Sequence, residues 1–407
     1  MAHRVLFISN GHGEDNHSSY VIQKLRELAP EVEIAAMPIV GEGNAYRRLN
    51  VPIIGPTQQV MPSGGFSYVN RWLLLKDIQA GLLSLTWRQY QAIKAYAPQC
   101  DLIHATGDSV GQSFAFLTGK PFISFISCLS ALYEGTLNLD LVMPWLFKSD
   151  RCLGVFTRDP LTAQDLQAKG FNKVRFGGIP SLDYLQPTGK DLGLIPGVPM
   201  VALLPGSRLP EAARNFKLQL QFAIEAVKIM GTNGVQFRAA LVPKLMKELP
   251  AIAEEMGWHY DQGQLSYGLP HEGKVTVYAD DDSFNDIVCK TDLVIGMAGL
   301  AVDQAVAIGK PIIQFAGEGP QFSYAFAEAQ DRLIGLSAQT FGTGPATLET
   351  LQAAAVGLAK TLRDQDYLQA CAQNGRDRLG TPGASDRIAK FILEQLSMIT
   401  VQGGTKH

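Results

Sequence analysis

Val201-Ala-Leu-Leu-Pro-Gly-Ser-Arg208 is the stretch of sequence that decides the fold. Its apolar start predicts a buried strand, and Pro-Gly-Ser predicts a tight turn leading into a helix. Further along, Gly296-Met-Ala-Gly-Leu300 repeats this order of strand, small-residue turn and helix. Backbone N–H groups presented in this way bind phosphate, so two such turns predict a diphosphate site.

Six residues of these two turns are expected to contact the diphosphate. They are Gly206, Ser207, Arg208, Ala298, Gly299 and Leu300. Arg208 favours the assignment because a guanidinium binds phosphate oxygens two at a time. An ordinary turn without a ligand is the alternative for each stretch.

The composition is typical of a folded enzyme larger than one domain. The 407 residues exceed the size at which a single core keeps growing. Hydrophobic residues make up 46% and charged residues 18%, enough for two cores. The formal net charge of -3 argues against a nucleic-acid partner.

The cysteines and the apolar runs predict a cytoplasmic protein. Five widely spaced cysteines form no metal or redox motif, which fits a reducing compartment. The short apolar run near the start is better interpreted as a strand than as a signal peptide. No run reaches the length of a membrane span.

Strand and helix signals alternate along both halves of the chain. In the first half they predict strands at 4–9, 32–38, 101–105, 121–127, 151–157 and 173–176, and helices at 18–28, 71–96, 109–118 and 160–170. In the second half they predict strands at 200–204, 235–242, 274–278, 292–296 and 311–315, and helices at 211–230, 283–289, 300–308, 348–362 and 384–398. Alternation of this kind predicts parallel sheets with helices on both faces.

Two Rossmann-like, doubly wound α/β domains are therefore expected. The first is predicted at 1–185 and the second at 198–378, joined by a Gly- and Pro-rich linker within 177–199. A last helix at 379–398 is predicted to cross back to the first domain.

At this point the chain resembles a known family, the lipid A disaccharide synthases and their related proteins, over most of its length. Leu204-Pro-Gly-Ser-Arg208 with Glu211 matches the family motif Leu-Pro-Gly-Ser-Arg-x-x-Glu. Asp15 and His17 match its Asp-x-His, and 298–311 matches its small-residue turn before Gly-x-Pro. The resemblance implies a GT-B glycosyltransferase, in which two Rossmann-like domains face each other across an interdomain cleft. It implies a UDP-sugar as co-substrate, with no metal and no other cofactor.

Two departures from the family pattern concern residues with functional roles. Gly11 stands where the family carries a Glu in its first turn, with His12 and Glu14 nearby. Gln304 stands where the family carries the Glu that binds ribose. An amide can hydrogen-bond a ribose hydroxyl, but it lacks the charge of a carboxylate.

Candidates for the base that deprotonates the acceptor hydroxyl follow two strands of the first half. Asp108 follows one strand and resembles the acid that the family places there, while His12, Asp15 and His17 follow the first strand. The carboxyl ends of parallel strands share one edge of the sheet, and a neutral imidazole suits proton abstraction. Each residue could be a base, a substrate contact or a structural residue. In the structural alternative, Asp15 caps the helix at 18–28.

Further residues are predicted to orient the donor. Gln321 matches the position where related GT-B enzymes place a Gln on the sugar hydroxyls, and Glu318 is either its companion or a surface carboxylate. The run 280–282 of three Asp residues is interpreted as a helix-capping loop rather than a metal site, at a position where relatives hold uracil. His104 is interpreted as a core histidine with satisfied hydrogen bonds.

The segment 61–87 could contact a membrane. Its apolar residues fall on one face at helical spacing: Trp72, Leu75, Ile78, Leu82 and Leu85. Basic residues flank this face, so the segment could dip into a bilayer to collect a lipid acceptor. A helix of the protein core is the alternative.

These observations predict an inverting glycosyltransferase. It would move a hexosamine or hexose from a UDP-sugar to a lipid-linked or acylated-sugar acceptor, in the cytoplasm or on the inner membrane face. One alternative is a UDP-sugar epimerase of the same fold, which needs no acceptor. Another is a non-catalytic nucleotide-sugar or lipid binder, motivated by Gly11 and Gln304.

Overall fold

The chain folds into two α/β units, each built on its own sheet. The computed structural model describes residues 3–57, 82–270, 273–319 and 322–404. Unit 1 is Met1–Tyr184 with Thr381–His407, and unit 2 is Leu185–Gly380.

The strands and helices alternate through most of both units. The strands are β1 (Arg4–Ser9), β2 (Glu33–Pro38), β3 (Leu102–Thr106), β4 (Phe122–Ile126), β5 (Cys152–Thr157), β6 (Val174–Phe176), β7 (Met200–Leu204), β8 (Gln236–Ala240), β9 (His259–Asp261), β10 (Gln264–Leu269), β11 (Gly273–Asp280), β12 (Leu293–Gly296), β13 (Ile312–Ala316) and β14 (Ala338–Pro345). The helices are α1 (His12–Leu28), α2 (Asn44–Arg48), α3 (Leu82–Tyr96), α4 (Ser109–Leu117), α5 (Met143–Lys148), α6 (Pro160–Ala168), α7 (Glu211–Met230), α8 (Pro243–Met246), α9 (Leu249–Met256), α10 (Phe284–Lys290), α11 (Leu300–Ala307), α12 (Tyr324–Ile334), α13 (Leu348–Thr361), α14 (Gln365–Leu379) and α15 (Ala384–Gly404).

Unit 1 has a parallel sheet in the order β2-β1-β3-β4-β5-β6. Successive side chains of a strand point to opposite faces, so β1 feeds two cores. Val5 and Phe7 belong to a buried cluster with residues of α1 and α15, while Leu6 and Ile8 belong to another with residues of α3 to α6. Burial on both faces explains why this strand reads as a continuous apolar run.

Helix α15 is part of unit 1, although it ends the chain. It packs against α1, and its Phe391 ring lies 5.3 Å from that of Phe156. The Asp183 carboxylate accepts hydrogen bonds from the backbone N–H groups of Ala384 and Ser385, at 3.2 and 2.6 Å. Asp183 therefore caps the start of α15 in the way that carboxylates satisfy free helix N–H groups.

Unit 2 has an eight-stranded sheet in the order β14-β13-β12-β7-β8-β11-β10-β9. Its strands are parallel from β14 to β11, whereas β9 and β10 extend it in antiparallel fashion. Val201 and Leu203 pack into a large core with α7 and α13. On the same sheet, α10 contacts β7 and β8, and α11 contacts β12.

The structure corrects several sequence-based predictions. Helix α1 begins at His12 rather than near Ser18, so Asp15 lies in its first turn and does not cap it. The start of α1 was missed because its first residues are polar or Gly, and the apolar periodicity begins only at Val21. Strands β9, β10 and β14 and helix α14 were also missed. They are short, half-exposed or polar, so they lack a clear apolar pattern.

Candidate functional site

The two small-residue turns of unit 2 lie side by side. Strands β7 and β12 are neighbours, with Leu204 opposite Gly296. The chain leaves β7 towards β8 on one side, and β12 leads to β13 on the other. Such a switch point in strand order opens the crevice in which doubly wound sheets bind ligands. Residues 205–210 and 297–299 form its rim.

The turn after β7 approaches the neighbouring turn closely. Gly206 has a φ of +97°, a left-handed conformation that favours glycine, and a Cβ there would lie 3.1 Å from the carbonyl oxygen of Met297. Ser207 is exposed and Arg208 is half-buried, in the turn before α7. Glu211 forms the first residue of α7, with its carboxylate 3.7 Å from the Arg214 guanidinium.

Two buried amides hold the carbonyl groups of these turns. Asn215 of α7 donates from Nδ2 to the Pro205 carbonyl at 3.0 Å, and Gln330 of α12 donates from Nε2 to the Ala298 carbonyl at 3.0 Å. Sequence reasoning missed both residues. An amide on the helix after a Gly turn, at a helical position facing the sheet, is the signal that could have found Asn215.

The start of α11 presents free backbone donors. Its N-cap is Gly299, which makes no side-chain cap bond. A helix leaves its first N–H groups without intrahelical acceptors, so Leu300 and the residue after it offer donors at this edge. Gln304 and Asp303 lie in the same helix with 7% and 5% of their surface exposed.

The loop after β13 packs on the first turn of α7. A Cβ on Gly317 would collide with Oδ1 of Asn215, and a Cβ on Gly319 would lie 2.9 Å from Cγ of Glu211 and 3.1 Å from Nη2 of Arg214. Glu318 is exposed between these two glycines. Glu318 thus lies on the same rim as Arg208, and Arg214 adds a second guanidinium that sequence reasoning missed. Gln321 lies outside the described residues.

The triple Asp run forms an ion pair rather than a helix cap. Lys190 donates to Asp280 at 2.6 Å and also to Asp282. Although burial acts to raise it, the Lys190 bond keeps the pKa of Asp280 below its usual value. The N-cap of α10 is Ser283, without a side-chain cap bond. In the described part of the chain, no group of three or more metal-ligating side chains is found.

Unit 1 has its own switch point, between β1 and β3, because β2 lies on the far side of β1. Asn10 follows β1 and donates from Nδ2 to Oδ1 of Asp108, after β3, at 2.7 Å. Asp108 also caps α4, since Oδ1 accepts from the Val110 N–H at 2.9 Å. Burial raises the pKa of the Asp108 carboxyl.

The first turn of α1 brings two more titratable side chains to this edge. His12 and Glu14 are half-buried. A Cβ on Gly11 would lie 2.6 Å from Oε2 of Glu14, and a Cβ on Gly107 would lie 3.4 Å from its Cγ. The carboxylate of Glu14 therefore occupies the space that a side chain of residue 11 would enter.

Asp15 and His17 point into the interior instead. They are 1% and 7% exposed. The Ser9 hydroxyl donates to Oδ1 of Asp15 at 2.5 Å and bonds the Tyr46 hydroxyl at 2.6 Å. Burial raises the pKa of Asp15 to about 8. Burial, together with the nearby Arg158 charge, lowers the pKa of His17 to about 3.

His104 is buried in β3, but the prediction of satisfied hydrogen bonds is only half right. Its Nδ1 lies 3.4 Å from the Thr106 hydroxyl, whereas Nε2 has no hydrogen-bond partner among the described residues. Burial lowers its pKa to about 3. His104 is therefore a neutral core residue.

Most of the amphipathic segment 61–87 lies outside the described residues. From Leu82 onward it belongs to α3, in which Leu85 is buried while Leu83 and Trp87 are exposed. No described helix is both long and apolar enough to span a bilayer.

Comparisons with known proteins agree on the fold. No protein-family model matches the chain, and no curated protein matches it. Among solved structures, it is similar to MurG from Acinetobacter baumannii, with a TM-score of 0.59 and 14% identity over 96% of this chain and 99% of that one. It is similar to CalG4, the calicheamicin glycosyltransferase, with a TM-score of 0.64 and 12% identity over 98% and 99%. A putative UDP-N-acetylglucosamine 2-epimerase from Listeria monocytogenes gives a TM-score of 0.60 and 14% identity over 97% of both chains.

The predicted fold, two Rossmann-like domains of the GT-B class, is confirmed. The comparisons do not identify the chain as a member of the lipid A disaccharide synthase family.

Proposed function

We propose that this protein is a glycosyltransferase that moves a hexose or hexosamine from a UDP-sugar to an acceptor hydroxyl with inversion. Unit 2 would hold the donor, and unit 1 would bind the acceptor and supply the base. The two switch points, one in each sheet, are the places where a doubly wound fold binds ligands.

The arrangement of the β7 and β12 turns is the observation that carries the donor half. Asn215 and Gln330 bind the carbonyl groups of Pro205 and Ala298 from behind. With these carbonyls engaged, the N–H groups at the start of α11 and the Arg208 guanidinium are the groups suited to an anion. Such donors stabilise the charge that develops on a leaving diphosphate. Gly206, Ser207, Gly299 and Leu300 belong to this proposed cradle, with Glu211, Gln304, Glu318 and Gln321 around the sugar and ribose.

The edge of unit 1 supports the acceptor half. A base must reach the substrate, so the half-buried Asp108, Glu14 and His12 are better placed than Asp15 and His17. In the proposed step the acceptor oxygen attacks the anomeric carbon and its proton passes to the base. The bond from that carbon to the diphosphate oxygen breaks, and UDP leaves with the electron pair. The carboxylate of Asp108 or Glu14, or the imidazole of His12, would serve as this base, while the buried Asp15 and His17 would support the fold around it.

The acceptor is proposed from the family resemblance. A lipid-linked or acylated sugar fits a protein that works in the cytoplasm at the inner membrane face, with segment 61–87 in peripheral contact. The exposed Leu83 and Trp87, at the described end of that segment, support such contact.

A UDP-sugar epimerase is the second candidate. It is favoured by the similarity to the Listeria protein, which covers 97% of this chain. The similarities to the two transferases cover about the same share. An epimerase would convert its UDP-sugar without an acceptor and without releasing UDP as a stoichiometric product.

Calorimetric titration with UDP, GDP, ADP and TDP and their sugars tests the donor half without knowledge of the acceptor. We expect UDP and one UDP-sugar to bind with saturation. Incubation of that sugar with the protein alone, followed by NMR of the sugar, separates the two enzymes. A new epimer would establish the second candidate, and absence of binding by all four nucleotides would refute both.

A further inference from the structure

Unit 1 exposes a group of large apolar side chains on α4 and on the segment that leads into α5. We call it the α4–α5 patch. Its members, with their exposed fractions, are Val110 (43%), Leu117 (53%), Leu141 (98%), Val142 (42%) and Trp145 (59%). Scattered single apolar side chains are ordinary on a surface, whereas a contiguous group marks a binding surface.

The patch is contiguous because α5 and its leading segment lie along α4. Asp140, just before Leu141, accepts hydrogen bonds from the N–H groups of Val142 and Met143 at 2.9 Å and from the Ser109 hydroxyl at the start of α4. At the other end of α4, the Phe116 and Trp145 rings lie 4.3 Å apart. Val110 and Leu117 are seven residues apart, two helical turns, so they share one side of α4.

Three basic side chains, Arg151, Lys148 and Lys120, lie around the patch. The Arg151 guanidinium lies 3.8 Å above the Phe116 ring and donates to the Phe116 carbonyl. Lys148 follows Trp145 by one turn and is exposed, and Lys120 follows Leu117 in the chain. Two exposed acids, Asp140 and Asp150, lie beside them, and the Asp140 carboxylate accepts the hydrogen bonds described above.

We infer that the α4–α5 patch docks unit 1 onto the surface of an anionic lipid bilayer. Apolar side chains at the headgroup boundary and Lys or Arg side chains beside them are the two contributions that hold a peripheral protein to such a membrane. Exposed Trp side chains are suited to this boundary because one end of the ring is apolar and the other carries an N–H donor.

The patch begins at the candidate acceptor edge. Val110 follows the base candidate Asp108 by two residues, and Ser109 links α4 to Asp140. Docking by this surface would bring Asp108 to the level of lipid headgroups, where a lipid-linked hydroxyl is found. This last step rests on the proposed function, whereas the docking itself does not.

Co-sedimentation of the full chain with lipid vesicles tests the inference. We expect binding to vesicles of phosphatidylcholine with phosphatidylglycerol, weaker binding to phosphatidylcholine alone, and a decrease as salt is raised. The double variant Leu141→Glu with Trp145→Gln should bind the vesicles at least about tenfold more weakly than the unmodified protein. The reason is that it replaces two apolar side chains that would insert into the bilayer. Leu348→Glu, at a 56% exposed position of unit 2, is the matched control and should bind vesicles like the unmodified protein.

UDP titration of the same proteins keeps this inference separate from the proposed function. The double variant should bind UDP unchanged, and Arg208→Ala should bind vesicles unchanged. Equal vesicle binding by the double variant and the unmodified chain would overturn the docking surface, whatever UDP does. So would light scattering that shows a dimer split by Leu141→Glu together with no vesicle binding, since the patch would then join two copies of this chain.

Discussion

The switch points of the two sheets share a topology but differ in chemistry. In unit 2 the rim is made of Gly, Ser and Ala with the guanidinium groups of Arg208 and Arg214, beside the carboxylates of Glu211 and Glu318. In unit 1 the corresponding edge carries Asp108, Glu14 and His12. The first set offers N–H donors and positive charge, and the second offers groups that accept a proton. A leaving diphosphate and an acceptor hydroxyl need these two chemistries respectively.

The difference extends to how the helices at the two edges begin. Helices α7 and α11 of unit 2 begin without a side-chain cap, at Pro210 and Gly299. In unit 1, Asp108 caps α4 with its own carboxylate, whereas α1 begins at Gly11 without a side-chain cap. A helix end already occupied by a carboxylate is less available to a second anion, because the same N–H groups and dipole serve both. The uncapped starts of α7 and α11, together with the Arg208 guanidinium beside them, favour unit 2 as the site of the nucleotide diphosphate.

Replacing Arg208 with Ala should cause the largest loss of activity. A variant with full activity would contradict the assignment of the diphosphate to unit 2. We expect kcat/KM to fall about a thousandfold or more, because a cation on the leaving diphosphate is lost as its charge develops. UDP affinity measured by calorimetry should fall as well. Arg332→Ala, which removes an exposed guanidinium paired with Glu328 on α12, is the control and should leave both quantities unchanged.

Asp108→Asn and Glu14→Gln sharpen the assignment of unit 1. The variant that removes the base should lose about a hundredfold in kcat while its UDP affinity stays the same. An amide at position 108 still accepts the Val110 N–H, so the cap of α4 survives. Because burial raises the pKa of Asp108, turnover of the unmodified protein should fall as pH decreases through that pKa. Loss of this acidic limb in Asp108→Asn identifies the base, and its persistence in that variant points to Glu14 or His12, between which Glu14→Gln decides.

The sequence predicted the unit 2 edge better than the unit 1 edge, for a physical reason. Gly206 and Arg208 lie within one turn, and the backbone conformation and charge for which we propose a role are recorded by a short motif. Glu14 lies beside Gly11 in the first turn of α1. The start of this helix has no apolar pattern, so the sequence did not indicate where the Glu14 carboxylate lies. Gln330 reaches the Ala298 carbonyl across 32 positions of sequence, a contact that no local pattern encodes. The alternation of apolar strands with helices predicted both sheets, whereas the half-exposed β9, β10 and β14 left no such signal.

Asp15→Asn tests whether the interior of unit 1 holds a carboxyl group in its protonated form. The folded-state pKa of about 8 lies above the unfolded value of 3.8, so the folded protein holds a proton that the unfolded chain releases. Stability should therefore fall as pH rises through this interval. Between pH 5 and pH 7 the free energy of unfolding should decrease by about 2 to 3 kcal/mol more for the unmodified protein than for the Asp15→Asn variant, because the amide of the variant does not titrate. Urea unfolding of both proteins at the two pH values measures this difference in stability. Equal pH dependences of the two proteins would show that Asp15 is ionised in the folded state.

Gln304→Glu should have the smallest effect, and it addresses the nucleotide itself. If the α11 side chain binds a ribose hydroxyl, a carboxylate makes the stronger, charge-assisted bond, worth about 1 kcal/mol more. UDP affinity should then rise about fivefold in calorimetry, since 1.4 kcal/mol corresponds to tenfold. The 2′-deoxy and 3′-deoxy forms of UDP provide the control, because the gain should disappear for the form that lacks the contacted hydroxyl. A drop in affinity for UDP and both deoxy forms alike would mean that the new charge repels the diphosphate. It would place Gln304 behind the phosphate cradle rather than beside the ribose.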